Sequence, residues 1–300
     1  MAKLSFELEI PADVPRAVHD EYIKNYSAIT RNTGRLMLFA CDQKIEHLNN
    51  DFYGPGIAPD AAHPEHIFAI AQQGTIGALA TSFGLIARYG SKYSNINYLV
   101  KLNSKTDLVK TEQKDPFSQQ LWTMQDLITF KKNSGLSICA IGYTIYLGSE
   151  FEHEMLHQAA QAIFDAHQHG LITVLWIYPR GKSITDDQEP HLVAGATGIA
   201  NALGADFVKV KPPKDIAAID QAVKAAGNTK IICAGGKMID AASFLQELYE
   251  QLQHGTQGNA TGRNIFQKSL PEAVSLTKAI AAIVFENKDP KTALSIYTGK

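Results

Sequence analysis

The chain has 300 residues, of which 45% are hydrophobic and 19% are charged. This composition supports a large buried core and excludes a disordered chain, a collagen and a coiled coil. The 28 Lys and Arg residues nearly balance the 30 Asp and Glu residues, which gives a formal net charge of −2. Because no global charge draws the protein to nucleic acid or to a membrane, we predict neither as a partner and expect a small molecule.

The predicted location of the protein is the cytoplasm. The first ten residues lack the apolar core and cleavage site of a signal peptide, and the apolar runs are far shorter than the roughly 20 residues that span a bilayer. The cysteines Cys41, Cys139 and Cys233 form an odd set, and each lies in a strand-like run. We expect free thiols that pack as small apolar side chains, as in a reducing compartment.

Short runs rich in Val, Ile, Leu and Ala alternate along the chain with segments of helical periodicity. An extra helix over 14–30 comes first. The predicted strands follow at 35–41, 76–81, 97–102, 137–143, 172–178, 206–210, 230–234 and 258–262. The predicted helices between and after them lie at 63–73, 120–133, 151–169, 191–203, 216–226, 241–254 and 271–285. Asp240 is a candidate cap for the helix over 241–254, and Gly255 suits its left-handed end.

Eight such strand-helix units predict a (β/α)8 TIM barrel that forms a single domain over residues 1–300, with an open doubly wound sheet as the alternative. The Gly- and Pro-rich stretch 51–64 follows the first strand, so we interpret it as a loop over the barrel mouth and not as a linker. In a barrel, polar side chains at the carboxyl ends of strands surround the active site. Those ends therefore supply the candidate functional residues.

The sixth predicted strand carries two lysines. Alternation places Phe207, Lys209 and Lys211 on one face of the strand. Burial disfavours an ammonium, and a second ammonium nearby lowers the pKa further. A neutral amine can attack a ketone and form a Schiff base, which serves as the electron sink for cleavage of a carbon-carbon bond. The structural alternative is that these lysines form ion pairs or reach solvent.

Neighbouring strand ends add further candidates. Tyr178 ends the fifth strand and can transfer a proton, while Trp176 on the same face can line the pocket or pack in the core. Asp42 follows the first strand, with Glu46 and His47 close behind, and can orient the lysine, handle a proton or simply cap a turn. Lys101 shares a face of the third strand with Asn103 and has the same ambiguity.

The seventh and eighth strands end in glycine turns. These turns contain Gly235 and Gly236 after one strand, and Gly262 followed by Arg263 after the other. Glycines let backbone N–H groups approach an anion, the loops after these two strands often bind phosphate in barrels, and an arginine can add a bidentate contact. We therefore predict a phosphorylated substrate.

Together these residues resemble the archaeal-type class I fructose-1,6-bisphosphate aldolases, a family of Schiff-base barrels. The resemblance covers nearly the whole chain from about residue 34. It rests on DQKIEH at 42–47, WIYPRG at 176–181, GADFVK at 204–209, the turn at 235–236 and GRN at 262–264. The chain differs from the family's pattern where Gln43-Lys44 replace His-Gly, and its loop over 49–63 is unusual.

The resemblance implies roles that alternation alone cannot assign. It selects Lys209 over Lys211 as the Schiff-base lysine, makes Tyr178 the proton donor and acceptor, and makes Asp42 and Trp176 active-site partners. It assigns the phosphate cradle to the glycine turns with Arg263, and we add Lys101 and Lys211 as substrate-binding candidates. No metal or other cofactor is implied beyond the covalent lysine imine. The resemblance also implies metabolism of fructose 1,6-bisphosphate in glycolysis and gluconeogenesis, and a homo-oligomer with a decamer as one candidate.

Three other functions are alternatives. The first is a related lysine-dependent aldolase, such as an amino-dideoxy-heptulosonate synthase or another sugar-phosphate aldolase. The second is a zinc protease, because His153 and His157 match the HExxH pattern, although Ala160 and Ile163 stand where its extended form needs glycine and histidine. The third is a non-catalytic phosphate-binding barrel, which has no need for inward Lys209 and Tyr178.

Overall fold

The computed structural model describes residues 6, 8–108 and 115–300. The expectation of no signal peptide falls partly on residues 1–5 and 7, which lie outside the described residues. Within the described part, eight parallel strands close into one barrel. The strands are β1 (Leu36–Ala40), β2 (Ala78–Ser82), β3 (Tyr98–Lys101), β4 (Ile138–Leu147), β5 (Ile172–Pro179), β6 (Phe207–Val210), β7 (Lys230–Ala234) and β8 (Gly258–Thr261).

Each strand pairs with the next one along the chain, and β8 returns to pair with β1. Helices follow or flank the strands: α1 (His19–Thr30), α2 (Gln43–Glu46), α3 (His66–Gln73), α4 (Phe83–Tyr89), α5 (Met124–Ser134), α6 (Glu152–Gln168), α7 (Pro190–Ala202), α8 (Ile219–Ala226), α9 (Ala241–Gln253), α10 (Arg263–Phe266), α11 (Leu270–Glu286) and α12 (Pro290–Thr298). The closed order confirms the (β/α)8 barrel and excludes the open doubly wound sheet.

All eight predicted strands and the extra N-terminal helix are present, with shifted ends. The predicted helix over 120–133 begins instead at Met124, because Gln119–Gln120 pairs with Asn103–Ser104 in a short antiparallel ribbon. Thr123 then caps the helix, since its hydroxyl accepts from the backbone N–H of Asp126. Helices α2, α4, α10 and α12 were not predicted from the sequence.

Alternation along β6 divides the side chains as predicted. Phe207 packs inside the barrel with Leu99, Val174 and Trp176, while Val208 belongs to the outer cluster between the strands and the helices. Each such buried aliphatic or aromatic side chain contributes roughly 1.5–3 kcal/mol. The two apolar layers therefore fix which face of β6 points toward the barrel axis.

Helix α9 begins at Ala241 as predicted and ends at Gln253, one residue before the predicted end. The carboxylate of Asp240 accepts from the N–H of Ser243 at 2.9 Å, and Gly255 follows the helix with φ of +93°.

The barrel's amino end is closed by α1. Tyr22 donates a hydrogen bond to Asp206, which directly precedes β6, and the Asn25 amide donates to the carbonyl of Gly170 at 2.8 Å. The extra helix thus forms a floor, and the opposite, carboxyl end remains the mouth.

The stretch 51–64 lies at the mouth, as predicted. Phe52 stacks on Phe266 of α10 with ring centres 4.6 Å apart, and the N–H of Ala58 donates to the carbonyl of Gln267 at 2.9 Å. The stretch is therefore anchored to the segment that follows β8. Among the helices of the described ranges, none is long and apolar enough to cross a membrane.

Candidate active site

Lys209 lies on β6 inside the barrel, and only 4% of its surface is exposed. Its Nζ is 5.2 Å from the centre of the Trp176 ring. Burial lowers the pKa of Lys209 to about 8; the Asp42 carboxylate opposes this shift and the Lys101 ammonium adds to it. A substantial fraction of this amine is therefore neutral near pH 8 and able to act as a nucleophile.

The second buried lysine beside Lys209 is Lys101, at the end of β3. Its Nζ donates to Thr144 Oγ1 at 2.5 Å and lies 3.8 Å from Asp42 Oδ2 and 5.1 Å from the Trp176 ring centre. The Nζ atoms of Lys101 and Lys209 are thus about equally far from the centre of the Trp176 ring. Neighbouring Asn103 is structural, because its amide bonds the backbone of Thr144 and Ser118.

The expectation that Lys211 supplies the second ammonium beside Lys209 is wrong. Lys211 lies beyond the end of β6, and its Nζ forms an ion pair with Asp187 at the mouth. Arg180 Nε lies 3.8 Å from the same carboxylate. Lys211 shares the inward face with Lys209, but one residue past the strand the chain has already reached solvent.

Tyr178 stands at the mouth near the end of β5. The Arg180 guanidinium lies 4.8 Å from its ring centre, and the Tyr146 ring lies 6.5 Å away. Burial raises the pKa of Tyr178, so its hydroxyl keeps its proton at neutral pH. Tyr146 is fully buried, whereas Tyr178 is partly buried, and Lys105 and Arg180 lie 6.0 and 5.9 Å from the centre of the Tyr146 ring.

Two carboxylates face this site from the short helix after β1. Asp42 directly precedes α2 without a capping hydrogen bond from its side chain, Glu46 ends α2, and both side chains are buried. Burial raises the pKa of Glu46, the Lys101 ammonium opposes that shift, and the Asp42 carboxylate adds to it. Within the described part of the chain, Asp42 Oδ1, Glu46 Oε1 and Trp176 Nε1 are buried without a hydrogen-bond partner. Buried polar atoms are seldom left unpaired, so these three are candidates to bind a ligand.

A cavity of about 580 Å³ extends from the mouth toward the turns after β7 and β8. Its lining includes His47, Arg180, Lys211, Gly235, Gly236, Lys237 and Arg263. The structure thus brings the predicted phosphate residues Gly235, Gly236 and Arg263 to one wall, together with Lys211. Lys101 lies apart from them, buried beside Lys209.

The two glycine turns are locked to each other. The Asn264 amide donates to the carbonyls of Gly235 and Lys237 at 2.7 and 3.1 Å. The Gly235 N–H donates to the carbonyl of Ala260, so it is not free to bind an anion. The lack of a side chain at Gly235 lets its backbone lie close to Thr261. A Cβ at Gly262 would lie 2.3 Å from the Ala40 carbonyl, and Gly236 has a φ of +66°, so both positions favour glycine.

The predicted zinc motif does not form a site. His153 and His157 are exposed on α6, outside the barrel. Across residues 6, 8–108 and 115–300, no group of three or more His, Cys, Asp or Glu side chains could hold a metal ion. The third ligand that a zinc protease needs is therefore absent from the described chain, and His153 and His157 lie on the exposed face of α6, while Met155 between them is buried.

Sequence analysis missed four contributors to the mouth: Thr144, Tyr146, Arg180 and Asp187. Thr144 and Tyr146 lie in β4, which the sequence predicted to end at 143 but which continues to Leu147. Arg180 stands in the WIYPRG motif, where its position directly after a strand end was the available signal. Asp187 lies in the loop between β5 and α7, and no pattern in the sequence links it to Lys211.

The chain is similar to known aldolases in sequence and in fold. A profile described as DeoC/LacD family aldolase matches residues 36–268, a range that runs from β1 to just beyond α10. A relative from Methanocaldococcus jannaschii, named fructose-bisphosphate aldolase/6-deoxy-5-ketofructose 1-phosphate synthase, is 53% identical over 297 residues. That match covers 98% of this chain and 95% of the relative.

Two solved structures are also similar. The fructose-bisphosphate aldolase from Slackia heliotrinireducens is 52% identical with a TM-score of 0.95, and the match covers 98% of this chain and 94% of the other. An archaeal fructose-1,6-bisphosphate aldolase, described with its catalytic Lys covalently bound to the carbinolamine intermediate, is 30% identical with a TM-score of 0.77. That match covers 88% of this chain and 99% of the other.

Proposed function

Because the chain belongs to the DeoC/LacD family of aldolases, we propose that it is a class I fructose-bisphosphate aldolase. This lyase cleaves fructose 1,6-bisphosphate reversibly to dihydroxyacetone phosphate and glyceraldehyde 3-phosphate. The observation that carries the proposal is Lys209, a buried amine inside the barrel with a pKa lowered to about 8. A cavity lined by Arg180, Lys211 and Arg263 lies at the same end of the barrel.

Lys209 forms the covalent intermediate. Its neutral amine attacks the C2 ketone, and the resulting carbinolamine loses water to give an iminium. The iminium accepts the electron pair of the C3–C4 bond, which releases glyceraldehyde 3-phosphate and leaves an enamine. The enamine is protonated at C3, and water then hydrolyses the iminium to free dihydroxyacetone phosphate and the amine. The iminium itself is the electron sink, so the reaction needs no metal ion.

Tyr178 handles the proton at the reacting carbons. Because burial raises its pKa, the neutral phenol can donate a proton to the enamine carbon directly. In cleavage, Tyr178 takes the C4 hydroxyl proton as its own proton passes to a carboxylate. Asp42 and Glu46 are the carboxylates whose charges act on the Tyr178 hydroxyl. Asp42, whose charge acts on the Lys209 amine, assists dehydration of the carbinolamine.

The two phosphates of the substrate need two cationic sites. We assign one phosphate to Arg263 with the turns at Gly236 and Gly262, where backbone N–H groups can approach an anion. The other phosphate suits Arg180 and Lys211, which share the Asp187 carboxylate and can exchange it for phosphate. Trp176 packs near both Lys101 and Lys209, and its buried, unpaired N–H is available to the substrate.

A second product follows from the name of the Methanocaldococcus jannaschii relative. Breaking the C3–C4 bond of a 6-deoxy-5-ketofructose 1-phosphate gives dihydroxyacetone phosphate and a three-carbon 2-oxoaldehyde. The Lys209 enamine can add to that aldehyde as it adds to glyceraldehyde 3-phosphate. At 53% identity we propose this synthesis as a second activity, ahead of an amino-dideoxy-heptulosonate synthase.

The direct test is cleavage of fructose 1,6-bisphosphate by the purified protein, with triose phosphate measured by a coupled reduction. We expect turnover that EDTA leaves unchanged, and formation of the six-carbon ketose when the 2-oxoaldehyde replaces glyceraldehyde 3-phosphate. Absence of triose phosphate under all conditions would contradict the proposal. Turnover abolished by EDTA and restored by a divalent metal would contradict the Schiff-base mechanism.

We further propose that the protein is one domain that works in the cytoplasm, in glycolysis and gluconeogenesis. In support, Cys41, Cys139 and Cys233 are free and buried, as suits a reducing compartment. A homo-oligomer remains part of this proposal and rests on the family resemblance.

A further inference from the structure

Asp51 is a buried acidic residue next to the cavity wall that carries Arg263. It has no role in the proposed imine chemistry and is not part of either glycine turn. Asp51 ends a short 3-10 helix, Leu48–Asp51, and is only 8% exposed. Its Oδ2 lies 2.6 Å from His47 Nδ1, and its Oδ1 lies 3.8 Å from the Arg263 guanidinium. One carboxylate thus bridges two basic side chains, and both of them line the cavity.

The backbone around Asp51 is fixed from the opposite side. Its carbonyl accepts a hydrogen bond from the Gln267 amide at 2.8 Å, and the next residue, Phe52, stacks on Phe266. The Lys44 ammonium lies 3.9 Å from the Phe52 ring centre on the side of α2. The stretch after β1 and the helix after β8 are therefore joined at Asp51, where a small displacement would move both basic groups.

We propose that Asp51 is a positioning residue for the phosphate end of the substrate, because its carboxylate holds the His47 ring and the Arg263 guanidinium on one wall of the cavity. His47 then acts as a phosphate-binding residue alongside Arg263. This inference rests on the proposed function, since it takes a phosphorylated ketone as the ligand of that wall.

The charge of His47 gives the proposal a pH signature. The pKa of His47 is raised, chiefly by the hydrogen bond to Asp51 and also by the charges of Asp51 and Glu46. Burial and the charge of Arg263 oppose this shift. The other charged groups on the cavity wall are Arg180, Lys211, Lys237 and Glu247, and the thiol of Cys233 also lines it. Without the Asp51 carboxylate, burial and Arg263 would lower the pKa of His47 and discharge the ring at neutral pH.

The test variant is Asp51→Asn, and the matched control is Asp60→Asn. Asp60 lies in the same stretch and accepts from the N–H of Leu270, but it is exposed. We expect Asp51→Asn to raise the KM for fructose 1,6-bisphosphate about tenfold at pH 8 with kcat changed less than about threefold. The ratio of variant to wild-type KM should grow from pH 6 to pH 8, and Asp51→Glu should restore part of the loss. Taking the ratio at each pH cancels the titration of the substrate phosphate.

Borohydride trapping separates this inference from the proposed function. Wild-type protein and variant are incubated with dihydroxyacetone phosphate or with unphosphorylated dihydroxyacetone, reduced, and weighed by mass spectrometry. We expect the wild type to prefer the phosphorylated ketone and Asp51→Asn to lose most of that preference. A variant with an unchanged preference and an unchanged KM profile overturns the role of Asp51 alone. A wild type without an adduct from either ketone overturns the proposed function.

A second variant protects the test against misfolding. If circular dichroism shows that Asp51→Asn is unfolded, His47→Gln removes the titrating group and leaves the Asp51 carboxylate in place. We expect His47→Gln to raise KM and to flatten its pH dependence between pH 6 and pH 8. A KM profile that matches the wild type would overturn the proposal.

Discussion

Strand β6 connects two buried clusters of charged side chains, which differ in whether their polar atoms have hydrogen-bond partners. At its amino end, Asp206 accepts hydrogen bonds from Tyr22, from His167 and from both the N–H and the hydroxyl of Thr173. At its carboxyl end, Lys209 lies among groups that include unpaired atoms of Asp42 and Trp176. At the floor, the Asp206 carboxylate is fully hydrogen-bonded, whereas at the mouth some buried polar atoms have no hydrogen-bond partner and can bind a ligand.

This difference indicates that the floor cluster stabilises the fold and that the mouth cluster carries out the reaction. A buried charge costs several kcal/mol unless partners compensate it, and the floor supplies those partners from α1, α6 and β5. The mouth leaves part of that cost uncompensated, which is physically sensible where a substrate completes the hydrogen bonds. Substitutions at the floor should therefore lower the free energy of unfolding, whereas substitutions at the mouth should lower kcat.

Loss of the Lys209 amine should have the largest effect. Lys209→Ala removes the nucleophile, so we expect kcat to fall about 10⁵-fold or more in a protein that still folds. The control is the thermal midpoint, which should not decrease because a costly buried charge has been removed. Cleavage of fructose 1,6-bisphosphate measures the loss, and residual activity within about a hundredfold of wild type would exclude the covalent role.

Tyr178→Phe should have the next largest effect. Removing a positioned proton donor costs about 10²–10⁴-fold in rate, while the amine remains free to form the imine. We expect slow cleavage together with normal borohydride-trapped adduct from dihydroxyacetone phosphate. Tyr146→Phe is the matched control, since it deletes a neighbouring phenol that also lies against Arg180. Equal losses in both variants would contradict the specific role of Tyr178.

At the floor, Asp206→Asn should reduce stability and leave the chemistry unchanged. Removing one partner from a buried charged cluster costs about 3–5 kcal/mol, measured by denaturant unfolding. The kcat of the folded variant should stay near that of the wild type. A folded variant with a large loss of kcat would break the division between floor and mouth.

The floor also predicts a pH dependence. Burial would lower the pKa of His167, but Asp206 and Asp13 overcome that effect and raise it to about 9. A raised histidine pKa stabilises the folded state fully below the ordinary value of 6.5, and that stability is lost as pH rises through about 9. The loss amounts to about 3 kcal/mol, and it should shrink in Asp206→Asn.

A smaller effect should come from the buried neighbour of Lys209. Lys101→Met removes the ammonium that lowers the pKa of Lys209, so that pKa should rise above about 8. Because only the neutral amine attacks the ketone, the trapping rate should reach its plateau at a pH up to about one unit higher. Lys214→Met removes an exposed charge at the rim, paired with Asp186, and should leave the profile unchanged. An unshifted profile in Lys101→Met would refute the coupling.

The sequence was sufficient for the barrel because local patterns determine its strands. Alternation and β-branched composition located all eight strands, and the barrel rule then placed Asp42, Tyr178 and Lys209 at one end. The predicted end of β4 at 143 was too early, since pairing with β5 extends that strand through Tyr146. Tertiary pairing, which no local pattern encodes, thus hid two residues of the mouth.

Local sequence patterns also could not show that Lys211 lies away from Lys209. Alternation specifies the face of a strand but not how deep along the barrel each side chain lies. Lys101 and Lys211 both face inward, yet only Lys101 lies deep enough to act on Lys209, while Lys211 meets Asp187 from another loop. Contacts between segments that are distant in the sequence, such as Asp51 with Arg263, cannot be predicted from residue spacing.

The most direct test of the covalent role of Lys209 is borohydride reduction in the presence of dihydroxyacetone phosphate, followed by intact mass and peptide mapping. We predict one adduct per chain, located on Lys209. An adduct on Lys101 or Lys211 would contradict the assignment of the nucleophile, and an unmodified chain would contradict Schiff-base chemistry altogether.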